Sequence, residues 1–279
     1  MTPSNMGRGD QGIEFSKNRP EISYPSSGNA TCLEIEEHSF WFQHRNNCIL
    51  QCLKRFPPAG AMFDVGGGNG YVALAMQKSG YETVLVEPGV EGARNARQRG
   101  LNNVICSTLE NARFVARSLP AIGLFDVLEH ISDSGRFLNE LRQSLIGGGR
   151  LYLTVPAYEF LWSVDDDFAG HARRYTQSSL IRELVVAGFD VEYASYFFTL
   201  LPFPIFLTRT IPSRLGVRSS ANSNGGVREH LSSTNVGRWL GAVFDWELRS
   251  IAAGRSLPFG SSCLMVARSR SAGGASVCR

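Results

Sequence analysis

The sequence predicts a doubly wound α/β domain, in which helices cover both faces of a parallel sheet. Short apolar runs alternate with segments of helical periodicity between residues 61 and 155. Repeated strand–helix units of this kind imply parallel strands joined by right-handed crossovers. Glycines end several of the helical segments, as is usual at helix C-termini. The predicted strands are 61–65, 82–86, 103–106, 121–124 and 150–155, with a further one at 189–193, and the predicted helices are 71–79, 90–99, 109–117, 134–145 and 177–188.

The segments that flank this core differ from it in composition. Residues 1–32 are rich in Gly, Ser, Pro and Asn, which predicts an irregular leader. Apolar residues at helical spacing predict an N-terminal helix within 33–58, and Pro57 and Pro58 end the pattern. The α/β domain is expected to cover 59–268, with an insertion at 197–258 before a last strand at 262–267. The remainder, 269–279, predicts a frayed tail.

Composition argues against several kinds of partner. The net charge is only +3, whereas nucleic-acid-binding proteins concentrate basic charge on one face, so no nucleic acid is expected. The six cysteines form no CxxC pair and no zinc-type cluster with histidine, so no metal is expected. The longest apolar stretch, 196–207, contains two prolines and is too short to span a bilayer. A cytoplasmic protein with reduced cysteines and no signal peptide is expected, while its oligomeric state is not predicted.

A glycine-rich loop follows the first predicted strand of the core. Asp64 ends that strand, and Gly66, Gly68 and Gly70 follow at alternate positions. Glycine permits a sharp turn and a close approach of the backbone to a ligand. Glu87 ends the next strand and can accept hydrogen bonds from both hydroxyls of a ribose, which also fits an NAD site. However, the glycine spacing is not the GxGxxG of dinucleotide-binding proteins. A tight turn without a ligand is the structural alternative.

Four segments together resemble class I S-adenosylmethionine (SAM)-dependent methyltransferases. They read FDVGGGNG from residue 63, VLVEPG from 84, LFDVLEH from 124 and GGGRLYLTVP from 147, and the similarity runs from about residue 33 to 195. The resemblance implies a Rossmann-like sheet of seven strands, six parallel and one antiparallel, with the strand at 262–267 as the antiparallel member. It also implies SAM as the cofactor.

The resemblance further implies which residues hold SAM. Asp64, Gly66 and Gly68 are expected to line the methionine and ribose part, and Glu87 to bind the ribose. The family often carries an acid for the adenine amino group after the third strand, where this chain has Ser107 and Thr108 instead. One of these two hydroxyls is therefore expected to make the adenine contact.

Residues at the end of the fourth strand and in the N-terminal helix complete the expected SAM site. Leu124 and Phe125 are expected to offer backbone groups beside the transferred methyl. The segment SFWFQHRNN, residues 39–47, resembles a bacterial subgroup in which it folds over the SAM pocket as a helical lid. Arg45 is then expected to pair with the methionine carboxylate, which suits a guanidinium fork. Trp41 either excludes water and faces the sulfonium, or anchors the helix to the sheet.

A second segment of the same subgroup, residues 161–175, follows the fifth strand, where such enzymes place their acceptor. His171 is a candidate general base, with Asp166 to orient it. Tyr175 is a candidate hydrogen-bond donor or cation-facing ring. The structural alternative is a loop fixed by ion pairs between Arg173 or Arg174 and the aspartates at 165–167.

The resulting expectation is methyl transfer from SAM to a small-molecule acceptor, of the kind found in secondary metabolism. The alternative is an intramolecular cyclisation of SAM to an azetidine-type amino acid, which would release methylthioadenosine. A non-catalytic SAM-sensing module is a third hypothesis, because fold does not by itself fix activity. The insertion at 197–258 is expected to form a cap on the sheet.

Overall fold

The computed structural model describes residues 6–8, 12–16, 33, 35–217 and 235–271. Within these residues, nine strands form a single sheet. The strands are β1 Met6–Arg8, β2 Glu14–Ser16, β3 Met62–Val65, β4 Thr83–Val86, β5 Asn103–Cys106, β6 Leu119–Phe125, β7 Leu145–Pro156, β8 Phe189–Phe197 and β9 Ser262–Ser269.

The seven strands from β3 to β9 confirm the predicted fold. They lie in the order β5-β4-β3-β6-β7-β9-β8. The first five are joined in parallel pairs, whereas β9 runs antiparallel between β7 and β8, so that six strands share one direction. This topology is the doubly wound arrangement with a reversed strand near one edge.

The expected irregular leader is wrong for two of its segments. β1 and β2 pair antiparallel with each other, and β2 pairs in parallel with β5, which extends the sheet at that edge. Ile13, just before β2, is buried in the same apolar cluster as Val104 of β5. The rest of the leader, at 1–5, 9–11 and 17–32, lies outside the described residues, as do 272–279 of the expected tail.

Helices connect the strands and form the insertion. Their bounds are α1 Phe40–Arg55, α2 Tyr71–Lys78, α3 Val90–Gln98, α4 Leu109–Ala112, α5 Ser134–Ser144, α6 Val164–Ala169, α7 Gln177–Val186, α8 Pro202–Ile205, α9 Ile211–Arg214 and α10 Asn235–Ala252. A π-helical turn, Phe206–Thr210, joins α8 to α9. The helix expected at 109–117 is shorter, because Arg113 adopts a left-handed backbone with φ 51° that ends α4.

The sheet buries a separate apolar core on each face. In β3, Phe63 and Val65 belong to the core that contains Leu138 of α5. Met62, on the alternate side of the same strand, belongs to the core that contains Ile49 of α1 and Met76 of α2. Alternate residues of a strand point to opposite faces, so this division shows helices on both sides.

The predicted insertion lies between β8 and β9 and reaches the N-terminal helix. Phe40 of α1 stacks on Phe244 of α10, with 6.0 Å between ring centroids. None of the helices within the described residues is both long enough and apolar enough to cross a bilayer. Residues of α1 and of the insertion line one cavity together with Asp126 and Pro156, at the carboxyl ends of β6 and β7, which is where doubly wound proteins bind ligands.

Candidate cofactor and acceptor site

The glycine loop after β3 surrounds a buried carboxyl group. Asp64 is fully buried, and neither of its carboxylate oxygens has a hydrogen-bond partner among the described residues. Gly66 and Gly68 adopt φ values of 73° and 55°, in the left-handed region that favours glycine. A Cβ at Gly67 would lie 2.4 Å from Asp64 Oδ2, so the loop passes directly over this carboxyl.

Burial dominates the ionisation of Asp64. It raises the pKa of the carboxyl to about 7, against the opposing influence of Arg45 and with a further contribution from Glu87. A buried carboxyl with unused oxygens requires a positively charged or hydrogen-bonding partner to be stable in its ionised form. The site therefore favours a cationic ligand group at this position.

Glu87 connects the glycine loop to the start of α3. Its two carboxylate oxygens accept hydrogen bonds from Gly68 N at 2.8 Å and Gly89 N at 2.7 Å. Burial raises the pKa of this carboxyl, and the same two hydrogen bonds oppose the shift. Each oxygen keeps a second acceptor position, so Glu87 can bind a ligand hydroxyl as well.

Only one of the two hydroxyls expected at the adenine reaches the cavity. Thr108 lines it, and its side chain also caps α4 by accepting a hydrogen bond from Asn111 N. Ser107 is fully buried, is not among the cavity-lining residues and donates its hydroxyl to Thr108 O at 2.8 Å. Of the two alternatives, Thr108 is therefore the one whose side chain faces this cavity, because a local hydrogen bond already uses the Ser107 hydroxyl.

At the end of β6, two neighbouring side chains face opposite sides of the sheet, one towards the cavity and one towards the core. Phe125 lines the cavity beside the glycine loop. Leu124 is fully buried in the core on the opposite face and does not line the cavity. The strand alternation thus leaves Phe125 as the member of this predicted pair whose side chain faces the site.

Two cavities adjoin each other above the strand ends. The first, about 420 Å³, contains the glycine loop, Glu87 and Thr108. The second, about 330 Å³, lies between α1, α6 and the insertion. The two cavities share a wall formed by Phe42, Arg45, Asp126, Glu129, Ala169 and His171.

Arg45 occupies this shared wall with a partner that the sequence analysis did not identify. Its Nη1 donates to Asp126, which directly follows β6 and also accepts a hydrogen bond from Thr154 Oγ1 at 2.9 Å. Arg45 Nε is buried and has no hydrogen-bond partner among the described residues. Asp126 therefore positions the guanidinium while part of its fork remains for a ligand.

Trp41 lines the second cavity and not the first. Its ring stacks on Phe198 with 4.0 Å between centroids and an interplanar angle of 12°. Phe198 follows β8 and has a φ of 59°, which is uncommon for a residue with a side chain. Trp41 is thus packed against the sheet, as the structural alternative expected, and also forms part of a cavity wall.

His171 is oriented by a charged network. Its Nδ1 lies 2.8 Å from Asp166 Oδ1, and Arg174 donates to both oxygens of the same carboxylate at 2.8 and 3.0 Å. Although burial would raise the pKa of Asp166, the hydrogen bonds from His171 and Arg174 lower it to about 2. An ionised Asp166 favours the tautomer with the proton on Nδ1, which leaves the lone pair of His171 on Nε2.

The two arginines beside His171 behave differently. Arg174 binds Asp166, so the expected fixing of the loop by an ion pair holds for this residue. Arg173 instead donates to Ser132 O at 2.6 Å.

Tyr175, predicted as a candidate catalytic residue, does not reach either cavity. Its side chain is buried in the core that contains Leu180, and it lines neither cavity. The backbone of Tyr175 pairs with that of Ala157, after β7, which turns the ring beneath the strand ends. Burial raises the pKa of its hydroxyl well above the usual range.

Glu129 is the principal site residue that the sequence analysis missed. It lies in a short 3-10 turn, Leu128–His130, is 1% exposed and has no hydrogen-bond partner for Oε2 among the described residues. Burial raises the pKa of this carboxyl well above its usual value, and the nearby Asp126 raises it further. The signal was its place in the strand-end segment LFDVLEH, one residue before His130.

Known proteins share this architecture. A family model described as a methyltransferase domain matches residues 42–194, more than half of the chain. Two probable S-adenosylmethionine-dependent methyltransferases from Mycobacterium tuberculosis, strains CDC 1551 and H37Rv, are each 25% identical over 195 residues, which cover 68% of this chain and 70% of each relative.

Solved structures agree on the fold. A chain of the complex between the Haloferax volcanii Trm112 methyltransferase activator and a methyltransferase has a TM-score of 0.57 at 17% identity, over 89% of this chain and 96% of that one. Phosphoethanolamine N-methyltransferase 2 of Haemonchus contortus, in complex with SAM, has a TM-score of 0.55 at 17% identity, over 92% of this chain and 62% of that one. The chain belongs to the methyltransferase domain family within the class I SAM-dependent methyltransferases, and its cofactor is SAM.

Proposed function

We propose that this protein transfers the methyl group of SAM to a small-molecule acceptor, with SAM in the first cavity and the acceptor in the second. The observation that carries the proposal is the wall common to both cavities, in which Arg45, Glu129 and His171 face each side. Such an arrangement allows two ligands to meet end to end, and in-line positioning is the main contribution that a protein can make to this reaction.

The residues of the first cavity fit SAM. The unpartnered oxygens of buried Asp64 suit the ammonium group of the methionine part, and the glycine loop admits the ligand close to the backbone. Glu87 and Thr108 both line this cavity, and we assign Glu87 to the ribose hydroxyls and Thr108 to the adenine. SAM supplies a methyl group on a positively charged sulfur, which makes that methyl electrophilic without any covalent protein intermediate.

Arg45 is assigned to the methionine carboxylate. Asp126 holds the guanidinium from one side, while its Nε has no partner among the described residues. A planar fork with five donors can serve two carboxylates at once. In this assignment the pair also closes the shared wall between the ligands.

The second cavity suits a small amphiphilic acceptor. Trp41, Leu201 and Ile205 give it apolar surface, whereas Arg209 and the Asp166–His171 pair give it polar groups. Its volume of about 330 Å³ is at the lower end of the range for small-molecule sites. A cavity of this size fits a small molecule and disfavours a folded protein or a nucleic acid as the acceptor.

His171 is the residue that we assign to the acceptor's reacting atom. Its ring lines both cavities, and Asp166 fixes its orientation. The lone pair on Nε2 is therefore available to activate a nucleophile at the junction.

Mass spectrometry of the reaction products tests the proposal. Purified protein is incubated with SAM alone and with SAM plus a low-molecular-weight cell extract, beside a protein-free control. We expect S-adenosylhomocysteine to rise only with the extract, together with a methylated small molecule. If methylthioadenosine rises with SAM alone, the protein instead cyclises SAM. If neither product forms, the protein is a SAM-binding module without this activity.

A further inference from the structure

A cluster of three possible metal ligands lies at the junction of the two cavities, where Glu129 and His171 line both cavities and His130 lines the first. Glu129, His130 and His171 each offer one ligand atom, and these atoms lie within 4.8 Å of one another. Ligands bound to one transition-metal ion at roughly 2.0–2.2 Å are at most about 4 Å apart, so a small contraction would suffice. The sequence analysis expected no metal site because no zinc-type spacing of cysteine and histidine is present, and these three residues come from two loops about 40 residues apart in the sequence.

Both histidines have the outer contacts that metal ligands usually have. His171 Nδ1 is held by the Asp166 carboxylate at 2.8 Å, and His130 Nδ1 lies 3.4 Å from Gly170 O. A carboxylate or backbone carbonyl on one ring nitrogen fixes the tautomer and directs the other nitrogen to the metal. The Asp166 carboxylate is itself oriented by Arg174 and by the turn that begins α6.

The third ligand is a buried carboxyl oxygen without a partner. Glu129 Oε2 accepts no hydrogen bond from the described residues, although Glu129 is 1% exposed and lines both cavities. Asp126 lies in the same wall and pairs with Arg45, whereas Asp166 and Arg174 line only the second cavity and pair with each other. Each of these two carboxylates is thus balanced by a guanidinium, so a cation bound at Glu129 would balance the charge that this carboxyl gains when it loses its proton.

We infer that Glu129, His130 and His171 bind a divalent transition-metal cation between the cofactor and acceptor cavities. Two imidazoles and one carboxylate with open positions are a ligand set for first-row metals such as Mn²⁺, Fe²⁺ or Zn²⁺, whereas Mg²⁺ and Ca²⁺ prefer oxygen ligands alone. The two cavities supply the open positions, because Glu129 and His171 line both of them and His130 lines the first.

The inference also specifies the acceptor, and in this respect it rests on the proposed function. With its Nε2 lone pair on the metal, His171 would activate the acceptor through the cation and not as a base, because a cation beside the acceptor lowers the pKa of a bound hydroxyl. The hydroxyl proton then passes to solvent, and the resulting oxygen anion takes the methyl group as the sulfur–carbon bond breaks. A carbon–oxygen bond forms, and the products are a methyl ether and S-adenosylhomocysteine. The expected acceptor class is therefore a small alcohol or phenol.

A second cluster, His44, Cys48 and Glu247, has similar spacing but does not carry the same inference. The Glu247 carboxylate already accepts hydrogen bonds from His44 Nε2, Phe198 N, Thr199 N and Thr199 Oγ1. This cluster provides a matched control. Cys48 supplies a thiol, a type of ligand that the proposed site lacks, so its removal tests the second cluster alone.

Metal binding is measured on the full-length protein after treatment with a chelator. Mn²⁺ is titrated and followed by the electron paramagnetic resonance of the free ion, and Zn²⁺ by native mass spectrometry. We expect one ion per chain, a loss of affinity of at least about tenfold in Glu129→Gln and His171→Asn, and unchanged binding in Cys48→Ala. Thermal unfolding verifies that each variant is folded. If Glu129→Gln or His171→Asn does not fold, His130→Asn is used in its place.

Three results would overturn the inference: no binding of either ion, binding that survives both substitutions, or binding lost only in Cys48→Ala. SAM affinity, measured by calorimetry on the metal-free protein, separates this inference from the proposed function. SAM binding without metal binding rejects the cation site alone. Metal binding without any transfer product leaves the site in place and rejects methyl transfer.

Discussion

His44 of the N-terminal helix donates a 2.7 Å hydrogen bond from Nε2 to the fully buried carboxylate of Glu247 in α10. The same carboxylate accepts the backbone N–H groups of Phe198 and Thr199 at the end of β8. Phe198 in turn stacks on Trp41, which lines the acceptor cavity. A single side chain from the insertion thus fixes the helix and the turn that form one wall of that cavity.

The first prediction concerns this buried carboxylate. Glu247→Gln should lower the free energy of unfolding by about 2 kcal/mol. The glutamine side chain is neutral, so the remaining hydrogen bonds weaken, and it has only one acceptor oxygen, so at least one donor loses its partner. Although burial raises the pKa of Glu247, bonds from His44 and Thr199 lower it overall. The difference in free energy of unfolding between wild type and Glu247→Gln should therefore reach its full size above about pH 5. It should shrink as the pH falls below about 4.3, the pKa of a glutamate in the unfolded chain.

Urea unfolding at several pH values measures this difference. Glu140→Gln is the matched control, because Glu140 pairs with the exposed Arg136 at the surface of α5. We expect the control to leave stability nearly unchanged. Equal effects of the two substitutions would mean that the buried network contributes nothing beyond an ordinary surface ion pair.

The second prediction follows from the pKa of Asp64, about 7. Burial keeps much of this carboxyl protonated near neutral pH, whereas a cationic ligand favours its ionised form. SAM affinity should therefore rise between pH 6 and pH 8, by up to about tenfold per pH unit below the pKa. Asp64→Asn should bind SAM more weakly and lose this pH dependence.

Calorimetric titration of both proteins across this range provides the test. Arg45 and Glu87 also act on this carboxyl, and both remain in the variant, so their titration cancels in the comparison. Parallel pH profiles in wild type and variant would show that Asp64 does not meet a cationic part of SAM.

Much of the fold could be predicted from the sequence because its signals are local. The alternation of short apolar runs with helical segments that end at glycines predicted all seven strands of the core in the correct order. β1 and β2 were missed, because each has three residues and a polar composition, and they are strands only through pairing with each other and with β5. Short edge strands of this kind carry no periodicity that a sequence can display.

The candidate site was predictable where residues directly follow a strand. Asp64 and Glu87 lie at strand ends, so the topology brings them to one cavity. The position of Tyr175 could not be predicted in this way because it belongs to a loop, and the direction of a loop side chain depends on tertiary contacts such as the pairing with Ala157. The ion pair of Arg45 with Asp126 joins residues 81 positions apart, and no spacing rule indicates it.

The third prediction tests the ribose contact. Glu87→Ala should weaken SAM binding by about 10–100-fold, which corresponds to the loss of hydrogen bonds to a charged acceptor. Glu87→Gln should have a smaller effect, since it keeps one oxygen. Glu91→Ala, in the exposed first turn of α3, is the control and should bind SAM as wild type does. Unchanged affinity in Glu87→Ala would remove the ribose assignment.

The fourth prediction separates the two cavities. Trp41 lines the acceptor cavity alone, so Trp41→Ala should raise the KM for the acceptor by about tenfold or more through loss of an aromatic wall. The Kd for SAM should stay within about twofold of wild type, because Trp41 does not line the cofactor cavity. A twofold change in Kd corresponds to less than about 1 kcal/mol of binding free energy. Trp246→Ala, at a half-exposed position in α10, is the control. A matching loss of SAM affinity in Trp41→Ala would place this ring at the cofactor instead.

The last prediction contrasts Tyr175 with His171. Tyr175→Phe should retain wild-type formation of S-adenosylhomocysteine in the presence of extract, because the hydroxyl is buried and faces neither cavity. Its free energy of unfolding should change by less than about 1 kcal/mol, as is usual when little packing is lost. His171→Asn should slow the same reaction by at least about 100-fold, the usual effect of removing a group that activates a nucleophile. A slow Tyr175→Phe variant with normal stability would return this tyrosine to the reaction and require the loop after β7 to move when the ligands bind.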